Sequence, residues 1–228
     1  MDYIKKLLKS SLIIIITSSL PIIITILSAL IYTLLGYNNQ EIFINNYLVY
    51  IIIIYYLITT IYLIKKYKVT IKPLSITNYY NFISIGVSLS IILNMLIFKI
   101  TIPNPEYTVP LPILILSSSI IGPIYEEILF RYIYLQKLKK FNTPTIAIII
   151  NTLVFALIHI NPIKIFYALI LGLILNISYH QKKNILIPII IHISTNLIAL
   201  FLTNYNFSLL ILSLILLVIN IKIYKKSC

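Results

Sequence analysis

Long apolar runs, separated by short polar segments, occupy almost the whole chain. About 20 apolar residues in a helix are enough to cross the roughly 30 Å hydrocarbon core of a bilayer. With 60% hydrophobic and 10% charged residues, a soluble fold would leave far too much apolar surface in water. The sequence therefore predicts an all-α, polytopic integral membrane protein.

Charged and turn-forming segments divide these runs into about eight predicted transmembrane helices. We place them at about 11–35, 43–64, 79–98, 111–136, 144–160, 163–180, 185–202 and 206–223. The connections are rich in residues that favour turns, and Pro144 and Pro162 suit the first turn of a helix. Because the first three helices hold no ionisable residue deep in an apolar run, we expect a polar site inside the second half of the bundle.

The lysines predict the orientation of the chain in the membrane. In an eight-span arrangement fifteen lysines fall on one side, whereas Lys99 and Lys164 fall on the other. Since cytoplasmic loops carry the excess of basic residues, both termini are expected to be cytoplasmic, in a bacterial plasma membrane. The net charge of +13 is spread between the apolar runs, not gathered on one basic face. We therefore expect no nucleic-acid partner.

The fourth predicted helix carries three charged residues: Glu126, Glu127 and Arg131. Each charge near a span centre costs about 2.5–3.5 kcal/mol on insertion scales, and such residues are by default functional. Glu127 and Arg131 are four residues apart and can pair on one helix face. Glu126 points about 100° away from this pair. The alternative is an ion-pair cluster that only fixes helix packing.

Two further predicted helices contribute histidines. His159 closes the fifth, and His192 and Asn196 share one face of the seventh. Each feature alone is weak, but a carboxylate and an imidazole can together deprotonate a water molecule. An imidazole and an amide can donate hydrogen bonds to a tetrahedral oxyanion. In straight helices, however, His159 and His192 would differ in depth by roughly 11 Å.

In order along the chain, these residues resemble the three signature motifs of the CAAX-processing and bacteriocin-processing (CPBP, or Abi) family. The motifs are Glu126-Glu127-x-x-x-Arg131, Phe155-x-x-x-His159 and His192-x-x-x-Asn196. The resemblance covers about residues 111–202, with 1–110 forming the first three helices and 203–228 a last helix with a basic tail. One departure is Tyr132, where the family usually has glycine.

The resemblance implies an intramembrane glutamic endopeptidase without a cofactor. Glu126 and His159 would activate water, His192 and Asn196 would form the oxyanion hole, and Glu127 and Arg131 would support the first motif. The implied partners are membrane lipid and a substrate that is a membrane-associated peptide or a lipidated protein tail. The sequence predicts neither the substrate's identity nor an oligomeric state.

Two alternatives stay open at this point. One is a zinc-dependent protease that uses Glu126, His159 and His192 as ligands, although no His-Glu-x-x-His helix is present. The other is a non-catalytic membrane protein with an immunity or regulatory role on the same scaffold. Loss of activity on chelation would favour the first, and an unchanged cellular phenotype after substitution of Glu126 would favour the second.

Overall fold

The computed structural model describes residues 2–37, 40–97, 109–159, 161–202 and 206–226, and within these ranges it is helical without strands. The described residues form eight helices: α1 Asp2–Leu34, α2 Gln40–Tyr67, α3 Ile76–Ile97, α4 Leu111–Leu138, α5 Pro144–Leu157, α6 Pro162–Lys182, α7 Leu186–Ala199 and α8 Phe207–Lys226. The all-α prediction is confirmed, and each helix overlaps one of the eight predicted segments.

Helix length separates these eight into two groups. By length and composition, α1, α2, α3, α4 and α6 can each cross a membrane. The two 14-residue helices α5 and α7 are about 21 Å long, which is less than the hydrocarbon thickness. The apolar part of α8, Phe207–Ile223, is also shorter than a full span. The protein is thus a polytopic membrane protein, while the crossing of all eight helices stays a prediction.

The predicted helix boundaries differ from the observed ones at both ends: α1 begins nine residues before its predicted start, and α2 and α3 each begin three residues before theirs. Pro144 and Pro162 begin α5 and α6 as expected. However, α5 ends at Leu157, three residues before the predicted end, because the chain turns immediately before the Asn161 cap of α6. Lys99 and most of the predicted connections at 101–110 and 203–205 lie outside the described residues.

The helices form two compact units. The first unit comprises Met1–Val69 and Pro105–Ala147, and the second comprises Thr70–Asn104 and Ile148–Cys228. Helices α1, α2 and α4 lie in the first unit, and α3, α6, α7 and α8 lie in the second. Helix α5 begins in the first and continues in the second. The division at residues 110 and 202 concerns the family-like core and stays a prediction.

A proline within α1 explains a polar contact that holds the first unit together. Pro21 has no N–H, so the carbonyl of Thr17 lacks its partner one turn later in the helix. The hydroxyl of Tyr55 on α2 donates to this carbonyl at 2.8 Å, and that of Tyr125 on α4 donates at 3.3 Å. In a lipid environment a carbonyl without a partner is costly. The two tyrosines therefore join all three helices at one backbone atom.

Small residues bring α3 and α7 close together in the second unit. A Cβ on Gly86 would lie 2.5 Å from the carbonyl oxygen of Ile191 and 2.7 Å from Cβ of Ser194. One turn further along α3, the Ser90 hydroxyl donates to the carbonyl of Thr195 at 2.7 Å. Glycine and serine four residues apart are typical of close contacts between membrane helices. This contact fixes the position of α7, which carries His192 and Asn196.

Helix α4 is continuous through Gly122 and Pro123. It contains two π-helical segments, Ile115–Ile121 and Ile128–Tyr134. At the end of the first, the N–H of Gly122 donates to the carbonyl of Ser117, five residues earlier. This wider turn accommodates the proline ring that would clash in a regular helix. The Glu126–Glu127 pair lies at the end of the short α-helical segment Gly122–Glu127.

Candidate active site

Glu127 and Arg131 form the ion pair expected from their spacing. The Arg131 Nη1 donates to Glu127 Oε1 at 3.0 Å, and both side chains are fully buried. A buried charge is tolerated in the membrane only when it is paired or hydrated. The pair therefore neutralises two charges inside α4 and supports the segment that carries Glu126.

Glu126 occupies a different environment from its neighbour. Its side chain is half-buried, whereas Glu127 is completely inaccessible. It lies within electrostatic range of Arg131 and of the Tyr56 phenol on α2. The Tyr56 ring stacks on Tyr125, with centroids 4.4 Å apart and planes 14° apart. Two stacked tyrosine rings thus lie beside the segment of α4 that carries the Glu126 carboxylate.

His159 lies in the turn that follows α5, and its ring is held by the backbone of that helix. Its Nδ1 is 2.9 Å from the carbonyl oxygen of Phe155. A carbonyl oxygen only accepts hydrogen bonds, so Nδ1 must carry the proton in this arrangement. In the neutral imidazole the lone pair then lies on Nε2. His159 is half-buried and has the tautomer that a general base or a metal ligand with Nε2 requires.

Phe155 brings the two histidines of the second unit close together. Its ring makes edge contacts with His159 at 5.2 Å and with His192 at 6.0 Å between centroids. Both imidazoles therefore contact one phenyl ring, and the depth difference of roughly 11 Å expected for straight helices stays a prediction. The phenylalanine of the second motif serves as a shared packing surface for both imidazoles.

Asn196 follows His192 by one turn of α7. His192 is buried and Asn196 is half-buried, so the amide is the more accessible of the two. Thr195 between them is tied to α3, because its hydroxyl lies 3.2 Å from the carbonyl of Gly86. Sequence reasoning missed Gly86 and Ser90 as supports of this site. Their four-residue spacing was the available signal.

The predicted site residues are divided between the two units. Glu126, Glu127 and Arg131 belong to the first unit, and His159, His192 and Asn196 belong to the second. The sharing of one water by Glu126 and His159 stays a prediction. Within either unit, the described residues contain no group of three His, Cys, Asp or Glu side chains placed to bind one metal ion. The zinc alternative would need ligands from both units and also stays open.

The comparison with protein families agrees with the motifs. Residues 108–198 match the family described as type II CAAX prenyl endopeptidase Rce1-like. The family resemblance is confirmed. The matched segment begins at residue 108, three residues before the predicted start at 111, and ends at residue 198, four residues before the predicted end at 202. It includes all six predicted site residues.

Three curated bacterial relatives match parts of the chain. YdiL of Bacillus subtilis (strain 168) is 32% identical over 85 residues, which are 37% of this chain and 35% of YdiL. The membrane-embedded CAAX protease MroQ of Staphylococcus aureus (strain USA300) is 32% identical over 106 residues, covering 41% and 42% of the two chains. The UPF0177 protein YbdJ of Lactococcus lactis subsp. lactis (strain IL1403) is 33% identical over 91 residues, covering 39% and 38%.

These relatives share only a segment with the protein. The matches span between about a third and two fifths of each relative's length. No solved structure gives a significant match to the chain. The comparisons therefore bear on the CPBP-like segment, and the activity and substrates of the whole protein are inferred below.

Proposed function

We propose that the protein is an intramembrane endopeptidase of the CAAX protease type, which hydrolyses a membrane-associated peptide or a lipidated protein tail. One observation carries the proposal. The Phe155 backbone holds the proton of His159 on Nδ1, while the Phe155 ring contacts both His159 and His192. This arrangement leaves Nε2 of a neutral His159 able to accept a proton from water. The match of residues 108–198 to prenyl endopeptidases supports the same reaction class.

In the proposed reaction, Glu126 and His159 hold one water molecule. The water loses a proton to this pair while its oxygen attacks the peptide carbonyl. The tetrahedral oxyanion then accepts hydrogen bonds from His192 and Asn196. The C–N bond breaks as the proton passes to the leaving amine, which gives a carboxylate and an amine as products.

The surroundings of the carboxylates support a division of roles between them. Glu127 is fully buried and already bonded to Arg131, so it is unsuited to exchange protons with water. Glu126 is half-buried and remains partly accessible. We therefore assign the proton transfer to Glu126 and a supporting role to the Glu127–Arg131 pair.

Cleavage by the purified protein in detergent tests this proposal. Wild type is incubated with a panel of lipidated and unlipidated peptides, and the products are identified by mass spectrometry. Glu126→Gln is expected to lower the cleavage rate by roughly 10²–10⁴-fold, as for loss of a general base. Asp2→Asn is the matched control, because Asp2 is an exposed acidic residue in α1. It should cleave like wild type.

A chelator separates the glutamic mechanism from the zinc alternative. Metal-binding histidines also commonly donate their second ring N–H to a backbone carbonyl, so the geometry of His159 suits both. Activity that survives chelation and is lost in Glu126→Gln supports the glutamic mechanism. Activity that is lost on chelation and restored by zinc contradicts it. A Glu126→Gln variant that cleaves at the wild-type rate contradicts both.

A further inference from the structure

The second unit contains an apolar groove. Helices α3, α6, α7 and α8 enclose an apolar groove of about 410 Å³. This volume falls in the range of ligand sites, roughly 300–1,000 Å³. Its walls are almost entirely aliphatic or aromatic, and include Phe82, Ile85, Leu89, Ile174, Ile177 and Leu217. The Ser178 hydroxyl donates to the carbonyl of Leu175 at 2.9 Å, so it adds little polarity to the groove.

Basic residues adjoin, in the sequence, the residues that line one end of this groove. Gln181 and Ile221 line that end, and each is followed in the sequence by a lysine, Lys182 and Lys222. The Asn184 amide donates to the carbonyl of Lys72 at 2.9 Å. This bond brings the segment before α3 to the same end as the last turn of α6. The basic end lies on the side predicted to be cytoplasmic.

All acidic and basic side chains in the sequence ranges of the second unit, histidines aside, are lysines. The five acidic residues of the chain, Asp2, Glu41, Glu106, Glu126 and Glu127, all lie in the sequence ranges of the first unit. The ranges of the second unit contain eight lysines and neither aspartate nor glutamate. The basic end of the groove is therefore complementary to a negatively charged ligand.

We propose that this groove binds an anionic phospholipid of the inner leaflet. One acyl chain lies in the groove, and the phosphate lies at the basic end formed by Lys72, Lys182, Lys183 and Lys222. Basic pockets between membrane helices on the cytoplasmic side are known sites for such headgroups. From Gln181 to Ile174 the groove follows α6 for about 10 Å. This length takes the part of an acyl chain nearest the headgroup. The site is independent of the proposed peptidase reaction.

The absence of tryptophan from the sequence allows a direct test. A single tryptophan is introduced at Ile177 in the groove, and the protein is reconstituted in phosphatidylcholine vesicles. Quenching of its fluorescence is measured with phosphatidylglycerol or phosphatidylcholine that carries bromine on the acyl chains. Stronger quenching by brominated phosphatidylglycerol at equal mole fraction is the expected result.

A neighbouring groove supplies the matched control. It has a volume of about 390 Å³, lies between α3 and α8, and is lined by Ile83. Ile83 is 41% exposed and Ile177 is 39% exposed, and both lie within about 11 Å of the basic end of their helices. Ile83→Trp is expected to be quenched equally by both lipids. The same phosphatidylglycerol preference at Ile83 would mean a general surface-charge effect and would overturn the proposal.

Neutralising the lysines completes the test. Lys182→Gln and Lys222→Gln in the Ile177→Trp protein are expected to reduce the phosphatidylglycerol preference by roughly fivefold each. A preference that survives both substitutions contradicts the proposal. Relief of quenching by a farnesylated peptide, without any preference for phosphatidylglycerol, would assign the groove to a substrate's lipid tail and also overturn it.

Discussion

The buried Glu127–Arg131 pair and the exposed Asp2–Lys6 pair allow one quantitative comparison within the same protein. Both pairs join residues four apart on a helix, at 3.0 Å and 2.6 Å. The side chains of the first pair are completely inaccessible, whereas those of Lys6 and Asp2 are 55% and 79% exposed. The two pairs therefore share spacing and differ in solvent access.

Arg131→Met would leave the Glu127 carboxylate buried without its cation. Removing one partner of a buried pair costs about 3–5 kcal/mol. Lys6→Met should cost at most about 1 kcal/mol, because an exposed pair is screened by water. For a chain of this length, roughly 2–4 °C of melting temperature corresponds to 1 kcal/mol. We expect a decrease of about 6–20 °C for Arg131→Met and no more than about 4 °C for Lys6→Met.

Thermal unfolding in detergent, followed by circular dichroism, measures both effects. The double variant Glu127→Leu, Arg131→Met removes both charges together, so its cost should be clearly smaller than the sum of the two single costs. Equal melting temperatures for Arg131→Met and Lys6→Met would refute the reasoning. A double variant whose loss of stability equals the sum of the losses of Glu127→Leu and Arg131→Met would also contradict the stabilising role of the buried pair.

Three further contacts are tested by substitution, the first of them with a matched control. Gly86→Ala forces a methyl group against the backbone of α7 and should lower the free energy of unfolding by about 1–3 kcal/mol. Ser88→Ala on the same helix is the control, because it removes a buried hydroxyl without a hydrogen-bond partner among the described residues. This control should be nearly neutral in thermal unfolding. Tyr132→Phe removes the hydroxyl that donates to the carbonyl of Lys68 at 3.2 Å, and should lower the free energy of unfolding by about 0.5–1.5 kcal/mol; an unchanged value would contradict this role. Asn161→Ala removes the side chain that caps α6 through two backbone N–H groups. The free energy of unfolding should fall by about 0.5–2 kcal/mol, and amide hydrogen exchange in the first turn of α6 should become faster. Unchanged exchange there would contradict the capping role.

Much of the fold could be predicted because bilayer thickness and hydrophobic length are directly related. The starts of α5 and α6 followed from Pro144 and Pro162, which suit the first turn of a helix. The ion pair of Glu127 with Arg131 followed from helical periodicity alone. Local rules of this kind need no knowledge of which helices are neighbours.

The remaining features depend on contacts between helices or on deviations from ideal geometry. The π-helical segments on either side of Gly122–Glu127 have no simple sequence signature beyond Pro123. The contact of Phe155 with both histidines depends on where α5 ends and α7 begins, which the sequence does not specify. Ionisable residues do not indicate the roles of Gly86 and Ser90, because these small residues act through close packing of membrane helices.

In the proposed mechanism the Glu126 carboxylate and the His159 imidazole act on one water molecule, so cysteines at these two positions should cross-link. The chain has a single cysteine, Cys228, so Cys228→Ser gives a clean background for the pair Glu126→Cys and His159→Cys. The control replaces Glu126→Cys by Leu116→Cys, ten residues earlier and about 15 Å away along the same helix. The account predicts an efficient intramolecular cross-link with a short bifunctional reagent for the first pair only, identified by mass spectrometry of the joined peptides. No cross-link for the first pair, or equal cross-linking of both pairs, would contradict the catalytic assignment.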